Sequence, residues 1–300
     1  MEPDRQDNHG VYLQQFLKAK HSQDQGLPYP LESTISAPPF ERAEEQYQPR
    51  LGEPVKLEHI AKLEDPFAAL KFFNTLLLID DSESMQQCWD EVGDIIRKIT
   101  PTCIEYDPNG IDIEFVNHRA SGYYITGRSG YAHIGLVKGR LDMHDSVAGI
   151  YHNVKPKGKC RMDTRLASIL DPYVNEYETQ VRRSGGKRRP APLNIIVISD
   201  LEWDSREDGF GTIIRTARKL DILRAPPYQV GIQLFRVGDA AREMSDAAVR
   251  YADDLVWREE GVRDMVDLTT WTGKPGELSS EGTLKVLLGA VRRSIDFMEV

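Results

Sequence analysis

The sequence predicts an α/β protein built on a doubly wound, mostly parallel sheet. Two apolar runs, Asn74–Ile79 and Leu193–Ser199, are continuous rather than alternating, as in strands buried on both faces. Stretches with helical periodicity separate the runs, which is the pattern of parallel strands joined by crossover helices. Both runs end in an aspartate, Asp80 and Asp200. In such sheets ligands gather beyond the strand C-termini, near the point where strand order reverses.

The elements follow in order. Residues 1–64 are rich in Gln, Glu and Pro and show little apolar periodicity, so they are expected to be mostly disordered, with a short helix near Val11–Ala19. A folded domain is expected over 65–300. After the Asn74–Ile79 strand, Met85, Cys88, Trp89, Val92, Ile95 and Ile96 form a helical stripe over Ser84–Lys98, which Pro101 is expected to stop. The Pro108-Asn109-Gly110 turn introduces an alternating strand, Ile111–Val116. Gly122–His152 is expected to hold one short strand and one helix, and Leu166–Val181 an amphipathic helix. Beyond the Leu193–Ser199 strand come a helix over Ile213–Leu223 closed by Pro226 and Pro227, and a strand over Tyr228–Phe235. A helix over Ala240–Trp257, a short strand over Met265–Leu268 and a closing helix over Gly282–Met298 complete the chain.

Composition narrows the function. The net charge of −9 argues against nucleic acid as the main partner, because phosphate binding draws on clustered positive charge. No apolar run is long enough to span a bilayer, and the start of the chain lacks a signal-peptide pattern. Cys88, Cys103 and Cys160 form no CxxC pair, which suits a reducing, intracellular setting, cytoplasmic or else nuclear. No P-loop, G-x-S-x-G elbow or histidine ligand spacing is present. The basic stretch Arg182–Arg189 reads as a solvated linker between a helix and a strand.

The informative motif is Asp80-Asp81-Ser82-Glu83-Ser84, a D-x-S-x-S between a buried strand and a helix. A carboxylate and two hydroxyls at alternating positions of a tight turn offer hard oxygens to one point, which suits Mg²⁺. Asp200 supplies a second carboxylate from a second central strand. The competing reading is plain helix capping by Ser82 or Ser84.

Leu77–Met85 resembles the metal-ion-dependent adhesion site strand of von Willebrand factor A (vWA) domains. Asp65-Pro66-Phe67, Leu193–Asp200, Ala225–Gln233 and Leu284–Val291 are similar, in the same order, to stand-alone intracellular fungal members of that family. The resemblance implies a Rossmann-like sheet, a Mg²⁺ site at its top edge, and protein binding through an acidic side chain of the partner. It carries over to Asp80, Ser82, Ser84 and Asp200 as metal ligands. The chain departs from the pattern at Glu83 and at Leu201-Glu202, where the family has glycine. It also departs at Cys160, which falls where the family has its metal-binding threonine; Thr164, a turn later, is the substitute nearest in sequence. A thiol is poorly matched to Mg²⁺, so an occupied site and a degenerate, metal-free one both stay open.

The expectation is a non-enzymatic protein-binding module with no nucleic-acid or membrane partner. One alternative is a haloacid dehalogenase-like phosphotransferase using Asp80. That chemistry needs an acid two residues on, where this chain has Ser82. Another is a scaffold that binds through its N-terminal segment. Cys160, set among basic residues, is also a candidate for a lowered pKa and oxidant reactivity.

Overall fold

The computed structural model describes residues 65–120, 129–135, 143–204, 206–238, 257, 260–271 and 278–291. The expected N-terminal disorder, the helix near Val11–Ala19 and nearly all of the Ala240–Trp257 helix lie outside the described residues. The described residues begin at Asp65, whose Oδ1 accepts from the Phe67 N–H at 3.0 Å and caps a 3₁₀ turn, Pro66–Phe72.

The strands are β1 (Asn74–Ile79), β2 (Ile111–Phe115), β3 (Tyr131–Ile134), β4 (Leu193–Ser199), β5 (Val230–Arg236) and β6 (Val266–Thr270). They form one six-stranded sheet in the order β3-β2-β1-β4-β5-β6. All neighbours are parallel except β2 and β3, which are antiparallel. The described helices are α1 (Trp89–Tyr106), α2 (Met143–His152), α3 (Met162–Ser184), α4 (Arg206–Ile222) and α5 (Ser280–Leu288). This is the α/β, Rossmann-like doubly wound class that the continuous apolar runs predict, and strand order reverses between β1 and β4.

Each central strand feeds two cores. Leu77 and Ile79 of β1, with Ile196 and Ile198 of β4, pack on one face against α1, α5 and the 66–72 turn. Leu76, Leu78, Ile195 and Val197 pack on the other face against α3 and α4. The interior of the sheet therefore has no solvent-facing register, which is why these strands show no alternation.

Three helices run further than their sequence signals suggest, among them α4, which starts at Arg206 rather than Ile213. Pro101 does not stop α1, which continues through it to Tyr106. An interior proline costs about 3 kcal/mol. Beyond Lys98, Ile99 and Cys103 continue the buried stripe, and burial of the isoleucine alone offsets about 2 kcal/mol of that cost. The Thr100 Oγ1 adds a hydrogen bond to the Ile96 carbonyl at 2.8 Å. Similarly, α3 starts at Met162 rather than Leu166, passes Pro172, and includes Arg182 and Arg183 of the basic stretch in its last turn. Gly185, at φ 61°, closes it in the left-handed conformation that glycine adopts without strain.

Asp107 ties the base of the sheet together. Its carboxylate accepts from the Thr75 N–H at 3.1 Å and the Asn109 N–H at 2.9 Å. Burial is the main cause that pushes its pKa up to about 6, against those two hydrogen bonds. The folded state therefore holds a proton that the unfolded chain releases near the ordinary value of 3.8. The stability this group contributes is fullest below that value and is lost as pH rises through about 6. The stability difference between wild type and Asp107→Asn should accordingly shift against wild type, on the order of 2 kcal/mol, as pH goes from 4 to 7. Urea titrations of both proteins across that range check it.

Candidate functional site

The parallel register sets the C-terminal ends of the three central strands level. Ile79 lies beside Phe115 on one side and Ile198 on the other. The Asp80 N–H continues the ladder to the Ile198 carbonyl at 2.9 Å. On β1 and β4 the next residues, Asp80 and Ser199, are polar and adjacent.

Asp80 is fully buried and its carboxylate is held from three sides. Oδ1 accepts from the Ser82 N–H at 3.0 Å, closing the turn. Oδ2 accepts from the Ser199 Oγ at 2.7 Å and from the Cys160 Sγ at 3.0 Å. Ser82 Oγ lies 3.2 Å from Ser84 Oγ, and the Ser84 side chain hydrogen-bonds to Asp200. Asp80, Ser82, Ser84, Asp200 and Cys160, five residues from three loops, thus converge. Thr164 does not join them: it is exposed, its Oγ1 donates to Asp163 at 3.3 Å, and it faces a separate cavity.

Electrostatics at the edge are one-sided. Asp200 is 5% exposed, and burial raises its pKa above the ordinary carboxylate range; the bond from Ser84 and the Glu202 N–H oppose the rise, and the charge of Asp80 adds to it. Among the described residues no basic side chain forms an ion pair with Asp80 or Asp200. Glu83 and Glu202 are both exposed, and the charge of Glu202 also adds to the rise at Asp200.

Cys160 behaves opposite to the reactive-thiol expectation. It is 2% exposed, and burial, the charge of Asp80 and its donated S–H all raise its pKa, so it is a neutral hydrogen-bond donor. The basic residues near it in sequence stay at the surface. Cys88 and Cys103 are likewise buried and unlinked, with Cys88 pushed up to about 12 by burial.

Two further residues prove structural: Asp81, at the first variable position of the motif, and Ser199, at the end of β4. Asp81 is also fully buried and accepts from the Asn117 N–H at 2.6 Å and the His118 N–H at 2.8 Å, fastening the loop after β2 to the Asp80 turn. Burial is the main cause that raises its pKa. Ser199 donates to Asp80 and accepts from the Leu201 N–H at 2.9 Å and Trp203 Nε1 at 3.2 Å. Its signal in the sequence is a hydroxyl closing an otherwise apolar strand. Leu201, where the resemblance leads one to expect glycine, takes φ 62°. Left-handed backbone costs a residue with a Cβ roughly 1–2 kcal/mol, and burial of the leucine side chain, 6% exposed, offsets it.

No family profile matches the chain, and no curated protein does. Among solved structures it is similar to the manganese-loaded TRAP protein of Plasmodium vivax, at 12% identity and TM-score 0.34, over 67% of this chain and 70% of that one. It is also similar to proximal thread matrix protein 1 of the mussel byssus, at 16% identity and TM-score 0.36, over 73% of this chain and 47% of that one. The pilus adhesin SpaC of Lactobacillus rhamnosus GG matches at 12% identity and TM-score 0.34, over 75% of this chain and 30% of that one. This chain thus matches less than half the length of the mussel and bacterial proteins. At such TM-scores these likenesses carry no argument about function. No described helix is long and apolar enough to cross a membrane.

Proposed function

We propose that the chain is a non-enzymatic protein-binding module of vWA type, with its recognition edge at the Asp80 turn, the Cys160 loop and the Asp200 loop. The observation that carries this reading is the pair of buried carboxylates at the switch point, joined by two serine hydroxyls and lacking a basic partner among the described residues. Buried carboxylates without a counter-charge are costly, and a small divalent cation relieves that cost. Asp80, Ser82, Ser84 and Asp200 are hard oxygen donors and fit Mg²⁺. When bound, the ion supplies a Lewis-acidic position for a carboxylate of the partner.

Cys160 does not fit as a ligand. Its thiol instead occupies Asp80 Oδ2, the oxygen a cation would compete for. Binding of Mg²⁺ is therefore weak in this reading, and Cys160→Thr should strengthen it by about tenfold, because threonine offers a hard oxygen in place of a thiol. Calorimetric titration of both proteins with MgCl₂ reads the difference.

The binding role is tested by capturing partners on immobilised protein in Mg²⁺ and eluting with EDTA. Capture should be lost in Asp200→Ala. Capture that ignores EDTA and Asp200→Ala, and disappears when residues 1–60 are removed, would move recognition to the N-terminal segment. Hydrolysis of a generic phosphate ester, abolished by Asp80→Asn, would favour the phosphotransferase reading instead. The setting proposed is intracellular and cytoplasmic, supported by three buried, unlinked cysteines.

A further inference from the structure

A second site lies beside this edge and has the opposite charge. A cavity of about 350 Å³ opens between the loop after β2 and the start of α3, lined by Asn117, Arg119, Lys159, Arg161, Thr164 and Arg165, with Val116 at its base. Four cations around one cavity stand out in a chain of net charge −9. The charge extends along the segment that carries it, where Lys155, Lys157, Lys159 and Arg161 alternate with other residues and are all exposed.

The Arg119 side chain and the backbone of the basic segment are held in place before any ligand arrives. The Arg119 Nη1 donates to the carbonyls of Phe115, Val116 and His118 at 3.3, 2.9 and 3.0 Å, fixing the guanidinium over the loop. The basic segment is bound on two sides: the Lys157 N–H to the Asp81 carbonyl at 2.7 Å, the Glu83 N–H to the Gly158 carbonyl at 2.9 Å, and the Asp204 N–H to the Cys160 carbonyl at 3.2 Å. Asn117 Nδ2 adds a bond to the Lys157 carbonyl at 3.0 Å. Two of the four charges have partners, Arg165 with Glu114 at 3.1 Å and Lys159 with Asp204 at 3.6 Å. Arg119 and Arg161 form no ion pair with a described residue and supply the surplus positive charge.

We infer that this cavity binds a phosphate monoester carried on a peptide. The held guanidinium of Arg119 and the exposed one of Arg161, with the Asn117 amide beside them, match a tetrahedral oxyanion better than a single carboxylate. Asp163, bonded to Thr164, and Asp204, paired with Lys159, adjoin the lining; they oppose an extended polyanion but leave room for one localised charge. The site does not depend on the cation reading, since none of the proposed metal ligands lines it. The choice of a peptide carrier rests on the binding role proposed above, in which a partner seated at the neighbouring edge presents the phosphorylated segment.

The test uses the full chain in EDTA, so that its outcome is separate from any effect of Mg²⁺. Calorimetry is run with sodium phosphate, with a short Gly/Ala peptide bearing one phosphoserine, and with the same peptide unphosphorylated, at constant ionic strength. The expected result is saturable binding of phosphate and of the phosphopeptide but not of the unphosphorylated peptide. Arg119→Ala with Arg161→Ala should weaken it by about tenfold or more, while Arg183→Ala, at the far end of α3, leaves it unchanged. Binding of free phosphate without the phosphopeptide, equal binding by the double variant, or displacement of the phosphopeptide by a single-stranded oligonucleotide of higher affinity would each overturn the inference.

Discussion

Arg165→Met should lower the stability of the domain by about 3–5 kcal/mol, the cost of leaving one member of a buried ion pair alone. Arg165 is 3% exposed and Glu114 fully buried, with Arg165 Nη2 and Glu114 Oε2 3.1 Å apart. The pair joins the first turn of α3 to the C-terminal part of β2, across the sheet face that α3 covers. Removing the guanidinium leaves the buried Glu114 carboxylate without its counter-charge in this ion pair, whereas removing both charges does not. The double variant Arg165→Met, Glu114→Leu should therefore recover most of the loss. In a domain of this size a midpoint drop of roughly 10 °C for the single variant is expected. A double variant as unstable as the single one would show that packing of the arginine stem, rather than charge, holds the helix.

Ser199→Ala should cost on the order of 3 kcal/mol, far more than the loss of one hydroxyl suggests. The Ser199 Oγ serves three partners at once: Asp80 Oδ2, the Leu201 N–H and Trp203 Nε1. Alanine leaves two buried donors without an acceptor, at about 1–3 kcal/mol each before relaxation. It also frees the oxygen of Asp80 to move. Ser84→Ala, on the same edge but exposed, should stay within about 0.5 kcal/mol. Denaturant unfolding of the two variants separates them, and equal costs would mean that Ser199 is not the hub of the edge.

The sheet was legible in the sequence because burial on both faces leaves an unmistakable apolar run, as in β1 and β4. The two strand-terminal aspartates were legible for a related reason: a carboxylate at the end of such a run has no apolar role. Helix ends were less so. Pro101 carries a strong local stop signal, but the tertiary burial of Ile99 and Cys103 outweighs it. Glu114 looked like the polar half of an alternating strand, because nothing in its neighbourhood along the chain announces Arg165, fifty-odd residues later. The state of Cys160 was equally hidden. Its basic neighbours in sequence suggested a lowered pKa, whereas burial first, and then its neighbours in space, Asp80 and Asp200, raise it. The basic cavity was missed because its residues come from two separate segments, and only the fold sets Arg119 beside Arg161.

The central claim, that the Asp80 edge is a cation site, is tested most directly by a thermal unfolding titration with Mg²⁺ and Mn²⁺ against EDTA, on wild type and Asp80→Ala. A ligand bound only by the folded state raises the midpoint in proportion to the logarithm of its concentration over its dissociation constant. The account predicts a metal-dependent rise in wild type and none in Asp80→Ala, whatever the midpoint of the variant without metal. An unchanged wild-type midpoint at millimolar metal, or an equal rise in both proteins, would contradict it.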